Sequence, residues 1–128
     1  MTVTDPCVRP LILVASQEPD FTNCLRIVLE DAEYRVETTD AAAPALDMAR
    51  ELRPDLIVLA LMGDVTIAAL GELRREPVTQ ATPVVVLLAT APDNPRVAPI
   101  HELAQAYIPM PLELDNVLGH VARLLGRD

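Results

Sequence analysis

The chain has 128 residues, of which ten are basic and nineteen acidic, so that its net charge is −9. This length suits a single domain with one hydrophobic core, and a hydrophobic content of 51% is enough to fill that core. Every basic residue other than the two histidines is Arg, and no stripe of basic residues overturns the acidic balance. We therefore expect no direct binding of nucleic acid.

The two cysteines, Cys7 and Cys24, lack the CxxC or CxxH spacing of a metal site. We expect reduced thiols, with Cys24 packed on the buried face of a helix, and no disulfide or metal pair. Met1–Pro10 lacks the apolar core of a secretion signal, and no apolar run approaches the ~18 residues of a membrane span. These features predict a soluble cytoplasmic protein.

The first part of the chain predicts an arm, a strand and a helix. Residues 1–9 have no hydrophobic period and predict a flexible N-terminal arm, followed by a single domain over residues 10–127. Leu11–Ala15 is a continuous apolar run and predicts a buried strand. Asp20 is predicted to be the N-cap of a helix over residues 21–32.

The middle of the chain contains the segment on which the functional interpretation rests. Tyr34–Thr38 alternates with period two and predicts a peripheral strand, and Asp40 is predicted to cap a second helix that buries its last residue, Leu52. Leu56–Met62 is wholly apolar, which predicts a central strand of a parallel sheet covered on both faces. Ligands gather at the carboxyl ends of such strands, and there this strand brings only the methyl group of Ala60.

The rest of the chain predicts a helix within Thr66–Arg75, a buried strand at Pro83–Ala89, a short helix near Pro99 and an edge strand at Tyr107–Ile108. Strand and helix then alternate five times, which predicts a three-layer α/β sandwich with a parallel sheet. Apolar residues at helical spacing define the final amphipathic helix: Leu114, Val117, Leu118, Val121, Leu124 and Leu125.

Four segments, LILVASQEPD, ALDMARELRPDLIVLALM, PVVVLLA and YIPMPLELDNVLGHVARLL, resemble in their order the receiver domains of bacterial two-component response regulators. The resemblance covers about Pro10 to Arg127. It implies a flavodoxin-like sheet of five parallel strands in the order 2-1-3-4-5, with helices on both faces. It also implies a phosphorylation switch, in which an acidic pair binds Mg²⁺, an aspartate accepts a phosphoryl group from a histidine kinase, and a Thr or Ser and a Lys contact that group.

The residues at the functional positions of this family are different here. Ala60 stands at the phosphoacceptor position, and an alanine side chain cannot form an acyl phosphate. The single carboxylate of Glu18 is a poor set of ligands for Mg²⁺, so we expect neither a metal nor a cofactor. Either X-Pro bond of the turn at Pro109 and Pro111 could be cis. The acidic pair aligns with Ser16 and Gln17, the phosphoacceptor with Ala60, the hydroxyl with Leu88 and the lysine with Met110, while Glu18, Tyr107 and Pro111 keep the family's residue type.

These departures predict a pseudo-receiver, a module for phosphorylation-independent protein–protein interaction in signal transduction. No phosphate-binding loop or nucleophile elbow is present, so we expect no enzymatic activity. The resemblance suggests a binding face over roughly Pro99–Arg127, for a protein partner or a second copy, with His101, Tyr107, His120 and Arg123 as candidate contacts. The alternative is a small-molecule sensor that uses an apolar cleft above Ala60, lined also by Leu88 and Met110.

Overall fold

The computed structural model describes residues 9–61, 63–88, 95, 98–109 and 114–125. Within these ranges, five strands and five helices alternate. They are β1 (Leu11–Ser16), α1 (Pro19–Asp31), β2 (Arg35–Thr39), α2 (Ala42–Leu52), β3 (Leu56–Ala60), α3 (Gly63–Arg75), β4 (Val84–Leu88), α4 (Ala98–Leu103), β5 (Ala106–Pro109) and α5 (Leu114–Leu124).

The five strands form one sheet in the order β2-β1-β3-β4-β5, and every neighbouring pair is parallel. This confirms the predicted fold class and strand order. The strands β1, β3 and β4 occupy the middle of the sheet, where both faces are covered, and this explains why their sequences are unbroken apolar runs. β2 lies at an edge, in agreement with its alternating pattern.

The helices divide between the two faces of the sheet. Buried side chains of α2, α3 and α4 pack with Leu13 and Ile57 on one face. Those of α1 and α5 pack with Ile12 and Leu56 on the other. Alternate residues of a strand point to opposite faces, so neighbours in β1 and β3 enter different halves of the core. The molecule is therefore the predicted three-layer sandwich.

Three helices begin earlier or later than predicted. Asp20 is not an N-cap: α1 begins at Pro19, whose fixed φ suits the first helical position, and Glu18 is the capping residue. Asp40 does not cap α2, whose N-cap is Ala41. Pro44 is the third residue of α2 and has no N–H. A capping side chain commonly accepts a hydrogen bond from the N–H at this position, so α2 lacks that donor. α3 begins at Gly63 rather than Thr66.

Two burial predictions were wrong. Cys24 is an exposed free thiol, because Leu25 and Leu29 occupy the buried face of α1. Leu52 is 41% exposed at the end of α2. The predicted arm lies outside the described residues except for Arg9, so the domain bounds stay a prediction. Among the described helices, none is long and apolar enough to cross a membrane.

A single arginine ties α3 to the amino ends of β4 and β5. The Arg74 guanidinium donates to the carbonyl oxygens of Leu103 (2.9 Å) and Thr82 (2.8 Å) and to Gln105 Oε1 (2.7 Å). Gln105 Oε1 also accepts a hydrogen bond from the Val84 N–H at 2.7 Å. Burial lowers the pKa of Arg74, but an arginine stays charged in proteins. This cluster of Arg74, Gln105 and the acceptor carbonyls fixes where β4 and β5 start.

We expect Arg74→Ala to lower the free energy of unfolding by about 2–3 kcal/mol, because several acceptors of charge-assisted hydrogen bonds lose their donor together. Arg74→Lys should recover only part of this loss, since an ammonium cannot reach the divergent acceptors that the guanidinium fork reaches. Urea unfolding measures both effects. The neighbouring Arg75→Ala is the matched control: its side chain is 74% exposed in an ion pair with Glu72, and its loss should stay within about 0.5 kcal/mol. Equal effects at the two positions would contradict the role given to Arg74.

Candidate functional site

The carboxyl edge of the sheet places two of the predicted site positions side by side. Ser16 ends β1 and Ala60 ends β3, and the two are partners in the parallel register. Neighbouring strands lie about 4.8 Å apart. The edge therefore brings together a hydroxyl group and a methyl group, at the two positions where the family resemblance implies carboxylates.

Ser16 is held in place although it carries no charge. Its side chain is buried, with 3% of the residue exposed. The Glu18 N–H donates to Ser16 Oγ at 3.3 Å, which turns the chain out of β1 and into α1. Gln17 and Glu18 are both exposed in this turn. The hydroxyl of Ser16 thus serves the backbone of the turn.

The described residues contain no group of three or more His, Cys, Asp or Glu side chains that could hold a metal ion. Glu18 is the predicted remnant of the family's acidic positions, and Gln17 next to it supplies only a neutral amide. Mg²⁺ in proteins is usually held by one or two carboxylates together with substrate phosphates. One exposed carboxylate beside a hydroxyl and an amide is a weak set of ligands.

Asp55 and Asp64 stand on either side of β3 in the sequence. Asp55 is at the amino edge: its Oδ2 accepts a hydrogen bond from the Leu11 N–H at 2.8 Å, and its own N–H donates to the Leu11 carbonyl at 2.8 Å. This reciprocal pair joins the starts of β1 and β3. Asp64 is exposed in the first turn of α3, where a carboxylate suits the positive end of the helix dipole.

Thr66 is a residue near the site that the sequence analysis missed. It is fully buried, and its Oγ1 donates to the Leu61 carbonyl at 3.1 Å. This hydrogen bond links α3 to the residue that follows Ala60. The signal was available in the sequence, because Thr66 shares the helical stripe of Ala69, Leu70 and Leu73, and a polar residue in such a stripe needs a local partner.

At the carboxyl ends of β4 and β5, the structure describes only part of the edge. The backbones of Leu88 and Pro109 pair at the ends of β4 and β5, so both strands reach this edge. The side chain of Leu88, and all of Met110 and Pro111, lie outside the described residues. The proposed apolar cleft above Ala60 depends on two of these side chains and therefore stays a prediction.

An open cleft of about 480 Å³ lies at the same edge of the sheet, between the ends of β1 and β2 and the start of α1. Hydroxyl, amide and carboxylate side chains dominate its lining, which makes it different from the predicted apolar cleft. Its lining residues are Ser16, Gln17, Pro19, Thr22, Asn23, Thr38, Thr39 and Asp40.

The four predicted partner-face residues form two pairs. His101 lies at the surface of α4, and Tyr107 lies in β5. Their ring centroids are 5.1 Å apart and their planes make an angle of 41°. Burial raises the pKa of Tyr107. On α5, Arg123 Nη2 lies 2.6 Å from His120 Nδ1. Burial and the charge of Arg123 lower the pKa of His120. Since α4 and α5 pack on opposite faces of the sheet, one pair belongs to α4 and β5 and the other to the helix on the opposite face.

Comparisons with known proteins agree on the kind of domain. No protein-family model matches the chain. The transcriptional regulatory protein KdpE of Mycobacterium tuberculosis is 32% identical over 120 residues, covering 92% of this chain and 52% of that protein. The chain thus spans about half the length of the sequence relatives it matches.

Solved structures of receiver domains and related proteins match the fold of this chain. The signal receiver domain of a signal transduction histidine kinase from Syntrophus aciditrophicus has a TM-score of 0.82 and 28% identity, covering 91% of this chain and 90% of that one. A redox sensor of the streptococci, described as evolved from two-component response regulators, has a TM-score of 0.81, with 24% identity over 93% of this chain and 52% of that one. The sequence relatives and the solved structures both support a receiver domain of the response-regulator family.

Proposed function

We propose that this receiver domain works without phosphorylation, as a protein–protein interaction module in a signalling pathway. The observation that supports this most directly is the pairing of Ser16 with Ala60 at the carboxyl edge of the sheet. At the position of the phosphoacceptor, the side chain of Ala60 has no atom that can take up a phosphoryl group. In this proposal the domain is neither an enzyme nor a metal-dependent switch.

The electrostatics of the edge favour the same proposal. Two carboxylates held ~4 Å apart repel by roughly 1 to 4 kcal/mol, depending on the effective dielectric, and a bound cation relieves that repulsion. Ser16 and Ala60 together remove the cost and the need for the cation. The fold should then be stable in its binding-competent form without a ligand, and a domain held in one conformation can still bind a partner.

The partner in this proposal is a protein of a two-component pathway in the cytoplasm. The candidate face is the β5 edge with its two flanking pairs, His101–Tyr107 and His120–Arg123. A chain of net charge −9 has little attraction for a phosphate backbone. KdpE is described as a transcriptional regulatory protein, but this chain matches only about half of it. We therefore assign no contact with DNA to this domain.

The first test is chemical. We expect the intact mass of the protein to stay unchanged after incubation with acetyl phosphate and Mg²⁺, because Ala60 offers no carboxylate. A receiver domain with the acidic residues in place should gain one phosphoryl group under the same conditions. A phosphorylated species that maps to any aspartate near the carboxyl edge would refute the proposal.

Loss of a pathway partner in a pull-down with the triple variant His101→Ala, Tyr107→Ala, Arg123→Ala would support the β5 face, and unchanged partners would place the face elsewhere.

The second test restores charge to the edge. We expect the double variant Ser16→Asp, Ala60→Asp to be less stable than the wild type by roughly 1 to 4 kcal/mol, since its two carboxylates face each other on neighbouring strands. Mg²⁺ should raise its melting temperature, while the wild type should not respond. The neutral variant Ser16→Asn, Ala60→Asn is the matched control for side-chain size and should not respond either. A wild type that Mg²⁺ stabilises as strongly as the aspartate variant would contradict the proposal.

The third test uses the pH dependence of stability. The lowered pKa of His120 means that the unfolded chain takes up this proton more readily than the folded one. The stabilising contribution is then complete above the ordinary histidine pKa of about 6.5 and declines as the pH falls below it. We expect the wild type to lose stability relative to His120→Gln between pH 7.5 and 5. In the Arg123→Gln background this relative loss should shrink, because one cause of the shift is gone. A difference between wild type and His120→Gln that does not vary with pH would contradict the assignment.

A further inference from the structure

A groove between α1 and α5 lies on the face of the molecule away from α4. It has a volume of about 600 Å³. Its apolar wall consists of Ile27 and Val28 from α1, Ala32 at the C-cap of α1 and Leu118 from α5, and we call this surface the α1–α5 groove. Neither the proposed function nor the carboxyl edge uses it.

Ile27 is the residue that makes the groove unusual. It is 65% exposed, the highest value among the exposed large hydrophobic side chains of the described residues. Leu25 and Leu29 of the same helix are fully buried in the core, so α1 already has its core contacts without Ile27. Val28, Ala32 and Leu118 beside it are partly buried, and together the four side chains form a continuous apolar surface that solvent reaches.

The rim of the groove is acidic. Glu30 and Asp31 line it, and Glu33 follows the C-cap residue Ala32; all three are exposed. The last turn of α1 contains no basic residue, and none of the three carboxylates forms an ion pair with another described residue. The carboxyl end of a helix carries a partial negative charge that favours cations. Three carboxylates there carry a negative charge that no described basic side chain neutralises.

We propose that the α1–α5 groove binds a basic amphipathic helix of a partner protein. Apolar side chains of that helix cover Ile27 and fill the groove, and Lys or Arg side chains beside them reach Glu30, Asp31 and Glu33. Helices commonly dock in grooves through apolar residues at i, i+3 or i+4 and i+7. This inference does not depend on the lack of phosphorylation, because a phosphorylated receiver would present the same groove.

A second copy of the chain fits the groove poorly. In a symmetric dimer the same patch meets itself, so the acidic rim of one protomer would lie near the acidic rim of the other. Each protomer also brings a net charge of −9. The charge of the rim therefore selects a basic partner over self-association.

The experiment measures binding of a labelled synthetic peptide that forms an amphipathic helix, with leucines on one face and lysines and arginines beside them. A second peptide has the same leucines with glutamates in place of the basic residues. We expect the basic peptide to bind the full chain and to shift the amide resonances of Val28, Ala32 and Leu118. The acidic peptide should bind at least tenfold more weakly.

Two variants with matched controls separate the groove from general attraction to an acidic protein. Ile27→Gln should weaken binding of the basic peptide about tenfold, and Val78→Gln, at an exposed apolar residue in a distant turn, should change it less than twofold. Glu30→Lys, Asp31→Lys should also weaken it about tenfold. Glu51→Lys, Glu102→Lys makes the same change in net charge on α2 and α4 and should have a small effect.

Three outcomes would overturn the proposal. Equal losses in both charge-reversal variants would show that the peptide responds only to net charge. Unchanged binding in Ile27→Gln would show that the apolar wall takes no part. A concentration-dependent dimer of the wild type that Ile27→Gln abolishes would show that a second copy covers the groove. Since Ile27, Glu30 and Asp31 are exposed, the variants should keep the wild-type circular dichroism spectrum and melting temperature.

Discussion

The parallel pairing of β1 with β3 determines which residues meet at the carboxyl edge of the sheet. It aligns the carboxyl ends of the two central strands, so that Ser16 and Ala60 become neighbours. In a parallel sheet all strand ends of one kind share one edge, and binding sites form there. The fold therefore presents the geometry of a site whatever residues stand at the strand ends. Here those residues are Ser16, whose hydroxyl accepts a hydrogen bond in the turn into α1, and Ala60, which brings a methyl group.

The two faces of the sheet give the molecule separate surfaces. α4 and the Tyr107 side chain belong to one face, and α1 and α5 belong to the other. The β5 edge joins them, with an aromatic pair on one side and the His120–Arg123 pair on the other. The α1–α5 groove opens away from α4. The proposed partner face at β5 and the α1–α5 groove are therefore different parts of the surface.

Much of the fold follows from the sequence, because the central strands are apolar on both faces and the helices carry clear apolar stripes. Helix starts were predicted less well. The prolines of α1 and α2 altered the capping, so that Asp20 and Asp40 are not caps. The Arg74 cluster could not be predicted, since its acceptors are mostly backbone carbonyls that only the folded chain brings together. At the site, the family resemblance assigned Ser16 and Ala60 to functional positions, the structure added their pairing in the parallel register, and Thr66 was overlooked.

The most direct measurement of the central claim is a titration of the isotope-labelled protein with Mg²⁺, followed by acetyl phosphate, observed through its backbone amide resonances. With a hydroxyl and a methyl group at the ends of β1 and β3, the resonances of Ser16, Gln17, Glu18 and Ala60 should stay in place, and those of α4 and β5 should not respond. Saturable movement of the four edge resonances with Mg²⁺, or a new set of resonances in α4 and β5 after acetyl phosphate, would contradict the account.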